Sequence, residues 1–485
     1  MSSPTYNTEF DVIVIGGGSG GLALSKECSK HGLKTALFDY ATPSRAGNSY
    51  MAFSTCVSAG CIPKKLFHEA ANIGDAIEDS QAFGWTVEKP ATADWEAIRD
   101  AIISNIRGTN WVYRVELRNK GVVYKNEFAT FVDNETIKGT DKSGKESLYK
   151  AKHIVIGTGL RPAYLNIPGA EHAITSDDVF FLDEAPGKTL CVGASYISLE
   201  TAGWIHGLGW DATVMVRSVP LRNFDQQMAG HVVNFMKNHG IKFLEKSEPS
   251  RIELLENGMK RVYYNSPEGE QFDDFNTVLF AIGRVANPTA LGAQNTTIAL
   301  DRAGRVIVDE FDRTNVPNVY CIGDMASGRP ELTPVAIASG RGLAQRLAGL
   351  HNRPTDISVI PTAVFTPMEY GSIGISEEAA KEQYGDDSDA FLMTYKPYAW
   401  VLSGRGQCLA KVVVQKSTDK VLGMHICGPQ AGEIIQGYAT AMMMGVTKTQ
   451  LDATIQLHPT TSERLIGLEI SRSSGASFES ATCCG

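Results

Sequence analysis

In the stretch STCVSAGCIPKKLFHEAANIG, Cys56 and Cys61 are separated by four residues, and Pro63, Lys64 and Lys65 follow at once. Proline is accepted in a first helical turn, so its position predicts a helix beginning near the second cysteine. A helix N-terminus and nearby lysines stabilise thiolate, which suits the pair to disulfide exchange. Zinc is the rival ligand, but no second Cys or His pair stands nearby at zinc spacing, and no metal is expected. Two unrelated buried cysteines are the bland alternative.

A second thiol pair, Cys483 and Cys484, lies in SRSSGASFESATCCG, a stretch that reads as a flexible arm. Adjacent Cα atoms are about 3.8 Å apart, below the roughly 4.4 to 6.8 Å that disulfides span. A bridge between neighbours would be strained and easily reduced, which fits a relay better than a brace. His458 and Glu463 in TIQLHPTTSERLIG complete the chemistry. A histidine beside a redox thiol can carry its proton, and the carboxylate would fix the ring's tautomer. A lone His of this kind is more often structural, and the sequence does not show that it reaches Cys56.

Nucleotide-binding elements must position such thiols. FDVIVIGGGSGGLALSKECSKHGLKTALFDY reads as strand, glycine turn, helix and strand, with Gly16, Gly18 and Gly21 in GxGxxG spacing and Asp39 after the second strand. The glycines allow a pyrophosphate close to a helix N-terminus, and the acid suits a ribose hydroxyl. KTLCVGASYISLETAGWIHGLGWDATVMVRS is a looser second unit, with Gly193, Ser195 and Ser198 in the three positions. Arg217 and Arg222 stand where an acid would select NADH; guanidinium forks favour NADPH, unless they only solvate a surface turn. HIVIGTGLRP, with Gly157, and VLFAIGRVANP, with Arg284, read as crossings between the two units. Asp324 in NVYCIGD is a candidate for the ribityl or phosphate part of a flavin. The Pro- and Thr-rich HNRPTDISVIPTAVFTP marks a third domain, whose Met442, Met443 and Met444 are expected to pack in its core.

The 485 residues suffice for about three domains. A net charge of -9 opposes nucleic-acid binding, and no apolar run approaches the roughly 18 residues of a membrane span. Nine cysteines are too few for a secreted disulfide scaffold, and MSSPTYNTEFDVIVIGGG carries no targeting pattern, so a cytoplasmic setting is expected.

Taken in order, GGGSGGL, CVSAGCIPKK, GASYISLE, MVRS, CIGD, ELTPVAI and HPTTSE resemble the large-type, animal-like thioredoxin reductases of the pyridine nucleotide disulfide oxidoreductase family. The tail is of a Cys-Cys rather than a selenocysteine type. The resemblance covers essentially the whole chain and implies an α/β architecture: two Rossmann-like, glutathione-reductase-like nucleotide domains and a C-terminal α+β dimerisation domain. The implied boundaries are 1–160 and 284–352 for an FAD domain, 161–283 for an NADPH domain, 353–470 for the interface and 471–485 for a flexible redox tail. It further implies FAD contacts from Gly16, Gly18, Gly21, Asp39, Thr55, Lys64, Gly157, Asp324, Glu331, Leu332 and Thr333. NADPH contacts would come from Gly193, Ser195, Tyr196, Glu200, Arg217, Arg222 and Arg284, with Lys64 paired to Glu200 and Tyr196 gating the nicotinamide.

By the same resemblance Cys61 lies nearest the flavin and Cys56 performs the interchange. His458 and Glu463 serve the opposite subunit of a homodimer, and Cys483 with Cys484 passes electrons to thioredoxin. Phe53 and Ser54 stand where relatives usually carry two glycines, which demands a shifted loop or displaced contacts. Glutathione reductases lack the dithiol tail. Dihydrolipoamide dehydrogenases normally use NAD. Mercuric reductases share paired terminal cysteines but lack the His-Pro-Thr motif. A flavin-binding redox signalling protein is the non-enzyme alternative.

Overall fold

The strand β1 (Glu9–Ile15) buries Val12, Ile13 and Val14 completely, as expected of a strand covered on both faces. Helix α1 (Ser19–Lys30) carries the chain to β2 (Thr35–Phe38), which lies parallel to β1. The helices α2 (Ser54–Ser58), α3 (Cys61–Asp79) and α4 (Trp95–Asn119) precede β3 (Val123–Lys125), β4 (Phe128–Phe131), β5 (Thr136–Thr140) and β6 (Glu146–Ile156). The computed structural model describes residues 9–49, 52–88 and 92–479, so Cys483 and Cys484 lie outside the described residues.

The next unit contains β7 (Arg161–Pro162), β8 (Thr189–Val192), α5 (Tyr196–Gly207), β9 (Ala212–Val216), α6 (Gln226–Asn238) and β10 (Lys242–Glu245). An antiparallel layer of β11 (Glu248–Leu254), β12 (Lys260–Ser266) and β13 (Gly269–Phe275) follows, then β14 (Thr277–Phe280) and β15 (Arg284–Val285). The parallel order β10-β9-β8-β14 makes this a second open sheet. β15 pairs antiparallel with β7, so the chain leaves and re-enters the first unit side by side. It then adds β16 (Val319–Cys321) parallel to β6, beneath α7 (Thr333–Leu347).

Register decides where ligands can bind. Ile15, Ile156 and Cys321 lie side by side at the ends of β1, β6 and β16, so the turns at Gly16, Gly157 and Gly323 converge. In the second sheet Val192 pairs with Met215 and Val216 with Glu245, which brings Gly193 and Arg217 to one carboxyl edge. Ligands of open α/β sheets bind at such edges.

The last unit is an antiparallel sheet in the order β17-β18-β21-β20-β19. Along the chain it comprises β17 (Pro361–Val364), β18 (Tyr370–Gly374), α8 (Glu377–Tyr384), β19 (Ser388–Tyr395), α9 (Tyr398–Val401), β20 (Cys408–Gln415) and β21 (Val421–Cys427). The helices α10 (Ala431–Met443) and α11 (Lys448–Asp452) follow. Two expectations differ here. Of the methionine triplet only Met442 is core; Met443 and Met444 are 65% and 83% exposed, and with Ile455 and Leu457 they leave apolar surface uncovered. The arm expected to be free from residue 471 is instead fastened as far as Phe478. Leu392 N–H donates to the Ile470 carbonyl (3.0 Å) and Thr394 N–H to the Phe478 carbonyl (3.0 Å). Arg472 pairs with Glu377, and Phe478 packs against the core. The reason is that β19 is an edge strand, and this segment supplies partners for its outward backbone groups.

Among the described residues no helix is long and apolar enough to cross a membrane.

Candidate active site

Thr55 and Cys56 sit on the short α2, and Cys61 is the first residue of α3. Helix α3 is held by Phe67, which stacks on Trp204 of α5 at 4.6 Å and on Trp95 of α4 at 5.2 Å. That packing brings the turn before Phe67 against the turn before Trp204. Lys64 Nζ therefore lies 2.6 Å from Glu200 Oε1, which also accepts the Phe365 N–H at 2.9 Å. The ion pair is nearly buried, and the second hydrogen bond compensates its desolvation.

The two thiols are free and interact with each other. A hydrogen bond from Cys61 pulls Cys56 down to about 6 against the opposing effect of burial, with help from Thr333, Ser19 and Lys64. The same bond pushes Cys61 well above the usual thiol range. Cys61 Sγ lies 3.7 Å from Thr333 Oγ1, at the start of α7. Two helix N-termini, those of α3 and α7, thus face the dithiol, and both favour a thiolate there. Arg284 donates to Thr55 Oγ1 (3.0 Å) and to the Leu160 carbonyl (2.6 Å), so the crossing strand is tied to the redox loop. Tyr196, at the start of α5, is half-buried; burial pushes its phenol up to about 12, and the charges of Glu200, Arg284, Glu331 and Cys61 reach it.

The first glycine turn fits a dinucleotide. Gly16 has φ +109°, and a Cβ there would stand 2.3 Å from the Gly157 carbonyl oxygen. α1 starts with Gly18 as N-cap, no side-chain cap and no acid in its first turn, leaving its N–H groups to an anion. Gly21 lies buried within α1. Asp39 accepts the Gly17 N–H (3.1 Å) on Oδ1 and the Phe53 N–H (3.1 Å) on Oδ2, and burial raises its pKa against those two bonds. Oδ2 also accepts the Tyr124 hydroxyl at 3.5 Å, so Oδ1 is the oxygen that keeps a lone pair for a ribose hydroxyl. Asp324 follows Gly323 at the same edge, its carboxyl raised by burial and partly offset by Arg284. Leu332 is the N-cap of α7, and Glu331 is bound by Arg305. The second turn repeats the device: Gly193 has φ +122°, and a Cβ would meet the Ala281 carbonyl oxygen at 2.2 Å. Ser195 is the N-cap of α5 without a side-chain bond, and Ser198 is buried on that helix. Arg217 and Arg222 are exposed beyond β9, Arg222 donating to Ser218 Oγ at 2.7 Å.

Phe53 resolves the departure from two glycines. Its φ of +59° is the left-handed conformation that glycine would adopt readily. The ring is fully buried, edge-on to Tyr113 at 5.9 Å and tilted over Tyr124 at 5.3 Å. The side chain thus becomes core, while its N–H holds Asp39. No sequence pattern announced this, because Tyr113 and Tyr124 come from α4 and β3. Ser19, whose hydroxyl supports Cys56, was hidden inside the glycine motif.

His458 stands apart from the dithiol. Its side chain is 58% exposed, with Nδ1 3.2 Å from the buried Glu463 Oε2. Glu463 Oε1 accepts the Thr460 N–H at 3.3 Å, which fixes the carboxylate. No hydrogen bond or ion pair joins His458 to Cys56 or Cys61 among the described residues.

Comparison with known proteins agrees with this geometry. The family model described as pyridine nucleotide-disulphide oxidoreductase matches residues 10–340. The corresponding dimerisation domain matches residues 360–467. The protein called thioredoxin reductase SEP1, from Emiliania huxleyi, is 44% identical over 492 residues, covering 98% of this chain and 99% of that protein. The chain belongs to the pyridine nucleotide-disulphide oxidoreductase family.

Proposed function

We propose that the chain is a homodimeric, FAD-containing thioredoxin reductase that consumes NADPH. The observation that carries this reading is the dithiol: one thiol held low and one held high, at two helix N-termini, between two dinucleotide cradles. The likeness to a protein named thioredoxin reductase supports the substrate.

Gly16, Gly18, Gly21 and Gly157 would hold the FAD pyrophosphate region with Asp39 on the ribose, and Asp324, Leu332, Thr333, Thr55 and Lys64 would line its remainder. Gly193, Ser195, Tyr196, Arg217, Arg222 and Arg284 would hold NADPH, Glu200 serving through Lys64. When bound, FAD supplies two-electron transfer between the nicotinamide and the Cys56–Cys61 disulfide.

The chain's own groups do the rest. Cys56, as thiolate, attacks the next disulfide; Cys61 then closes on Cys56 and releases the new thiol. His458 of the partner subunit, oriented by Glu463, protonates that leaving sulfur. The next disulfide is the Cys483–Cys484 tail. Cys484 attacks thioredoxin and Cys483 resolves the mixed disulfide. In sum NADPH and one proton are consumed, and one disulfide becomes two thiols. The uncovered Met443, Met444, Ile455 and Leu457 support a homodimer, since exposed apolar patches mark association surfaces. A cytoplasmic setting is part of the same proposal.

The test is NADPH oxidation with thioredoxin, glutathione disulfide or Hg(II) as sole acceptor. Thioredoxin is expected to give the highest kcat/KM; faster oxidation with Hg(II) or glutathione disulfide replaces this reading.

A further inference from the structure

At the carboxyl edge of the second sheet, Arg217 is not alone. Its guanidinium Nε lies 3.3 Å from Glu248 Oε1, the first residue of β11. Arg217, Lys246, Glu248, Asn265 and Ser266 together line a shallow cavity of about 360 Å³, ample for a phosphate group. Lys246 is brought there by the fold: Glu245 pairs with Val216 in the parallel register, so the residues after them are neighbours. The Ser247 N–H then donates to the Val216 carbonyl at 3.1 Å and pins the two strand ends together. Lys246 itself has φ +48°, an unusual conformation for a long side chain that persists only where surroundings impose it. Asn265 stands opposite Glu248 in the β11–β12 register and closes the far wall.

We infer that Glu248 and Lys246 set how strongly the 2′-phosphate of NADPH is recognised, Lys246 as a third cation and Glu248 as a built-in competitor for Arg217. This rests on the NADPH reading above. An anion entering the cavity must take Arg217 from Glu248 and then lies close to the displaced carboxylate. The pair is a cheap one to break, because its side chains are 77% and 56% exposed. Glu248 therefore moderates affinity without abolishing it. It also weakens discrimination, because the penalty falls on a cofactor carrying the 2′-phosphate and spares one that lacks it. Lys246 works in the opposite direction, by direct attraction that salt screens.

The experiment measures calorimetric binding of 2′,5′-ADP and 5′-AMP to the holoenzyme at fixed ionic strength, for the wild type, Glu248→Gln, Lys246→Met and Arg217→Met. Glu248→Gln is expected to tighten 2′,5′-ADP about three- to fivefold and to leave 5′-AMP unchanged. Lys246→Met is expected to weaken 2′,5′-ADP by a similar factor and to flatten its salt dependence, again sparing 5′-AMP. Both residues are exposed, so the folds of the variants are expected to be intact, and circular dichroism checks it. If the wild type prefers 2′,5′-ADP and Arg217→Met removes the preference, while Glu248→Gln and Lys246→Met leave it unaltered, the inference alone fails. If the wild type shows no preference and Arg217→Met changes nothing, the NADPH reading fails and takes the inference with it.

Discussion

Replacing Cys61 by Ala removes the hydrogen bond that is the largest influence lowering Cys56. With the bond, Cys56 titrates at about 6. Without it, burial pushes the thiol up while Thr333, Ser19 and Lys64 still pull it down, and the two together leave it near the ordinary value of about 8.5. At pH 6 the thiolate fraction then falls from about one half to about 0.3%, roughly 160-fold. The remaining thiolate is more basic and so more nucleophilic; at a Brønsted slope of about 0.45, a rise of about 2.5 pH units returns roughly 13-fold. The net expectation is that Cys56 in Cys61→Ala is alkylated about tenfold more slowly at pH 6. Cys61→Ser keeps a hydroxyl donor, so its profile is expected to stay near that of the reduced wild type. The assay is iodoacetamide alkylation of the reduced holoenzyme between pH 4.5 and 10, with Cys56 followed by peptide mass spectrometry. Reactivity falls as pH drops through each midpoint, because only the thiolate reacts. Identical midpoints for wild type and Cys61→Ala would refute the reasoning, since the first proton would then owe nothing to the neighbouring sulfur.

Three further outcomes follow from the same geometry. Lys64→Met strands the Glu200 carboxylate and is expected to destabilise the protein by about 3 kcal/mol, with Lys64→Met/Glu200→Gln recovering much of it in a denaturant double-mutant cycle. Phe53→Gly, although it restores the residue usual in relatives, loses about 3 to 5 kcal/mol of packing and regains about 1 to 2 from the left-handed backbone. Hydrogen exchange in β1 and α1 is therefore expected to quicken, and unchanged protection contradicts the core role of the ring. His458→Asn is expected to lower thioredoxin kcat by about a hundredfold or more while leaving NADP⁺ binding intact; loss of both points to structural damage instead.

Much of this was legible in the sequence for a definite reason. β1, α1 and β2 follow a continuous apolar run and a glycine turn whose spacing only a strand-turn-helix unit satisfies, and β20, β21 and α10 coincide with periodic segments of the third domain. The first helix after the redox motif begins at Cys61, where Pro63 indicated. What escaped was set by distant partners. Phe53 read as an obstacle, because the aromatic rings that receive it lie on α4 and β3. Residues 471–478 read as free, because they bind β19 through backbone groups that leave no pattern in side-chain type. Met443 and Met444 read as core because residue type alone does not distinguish an exposed methionine from a buried one. The Arg217–Glu248 contact escaped because the two residues belong to different strands of the second unit.

The measurement that bears most directly on the central claim is NADPH-dependent reduction of thioredoxin by the intact chain and by a chain lacking Cys483 to Gly485. The intact protein is expected to turn over thioredoxin, and the shortened one to lose nearly all of that turnover while still reducing its own Cys56–Cys61 disulfide with NADPH. Equal thioredoxin turnover by the two chains would contradict the account.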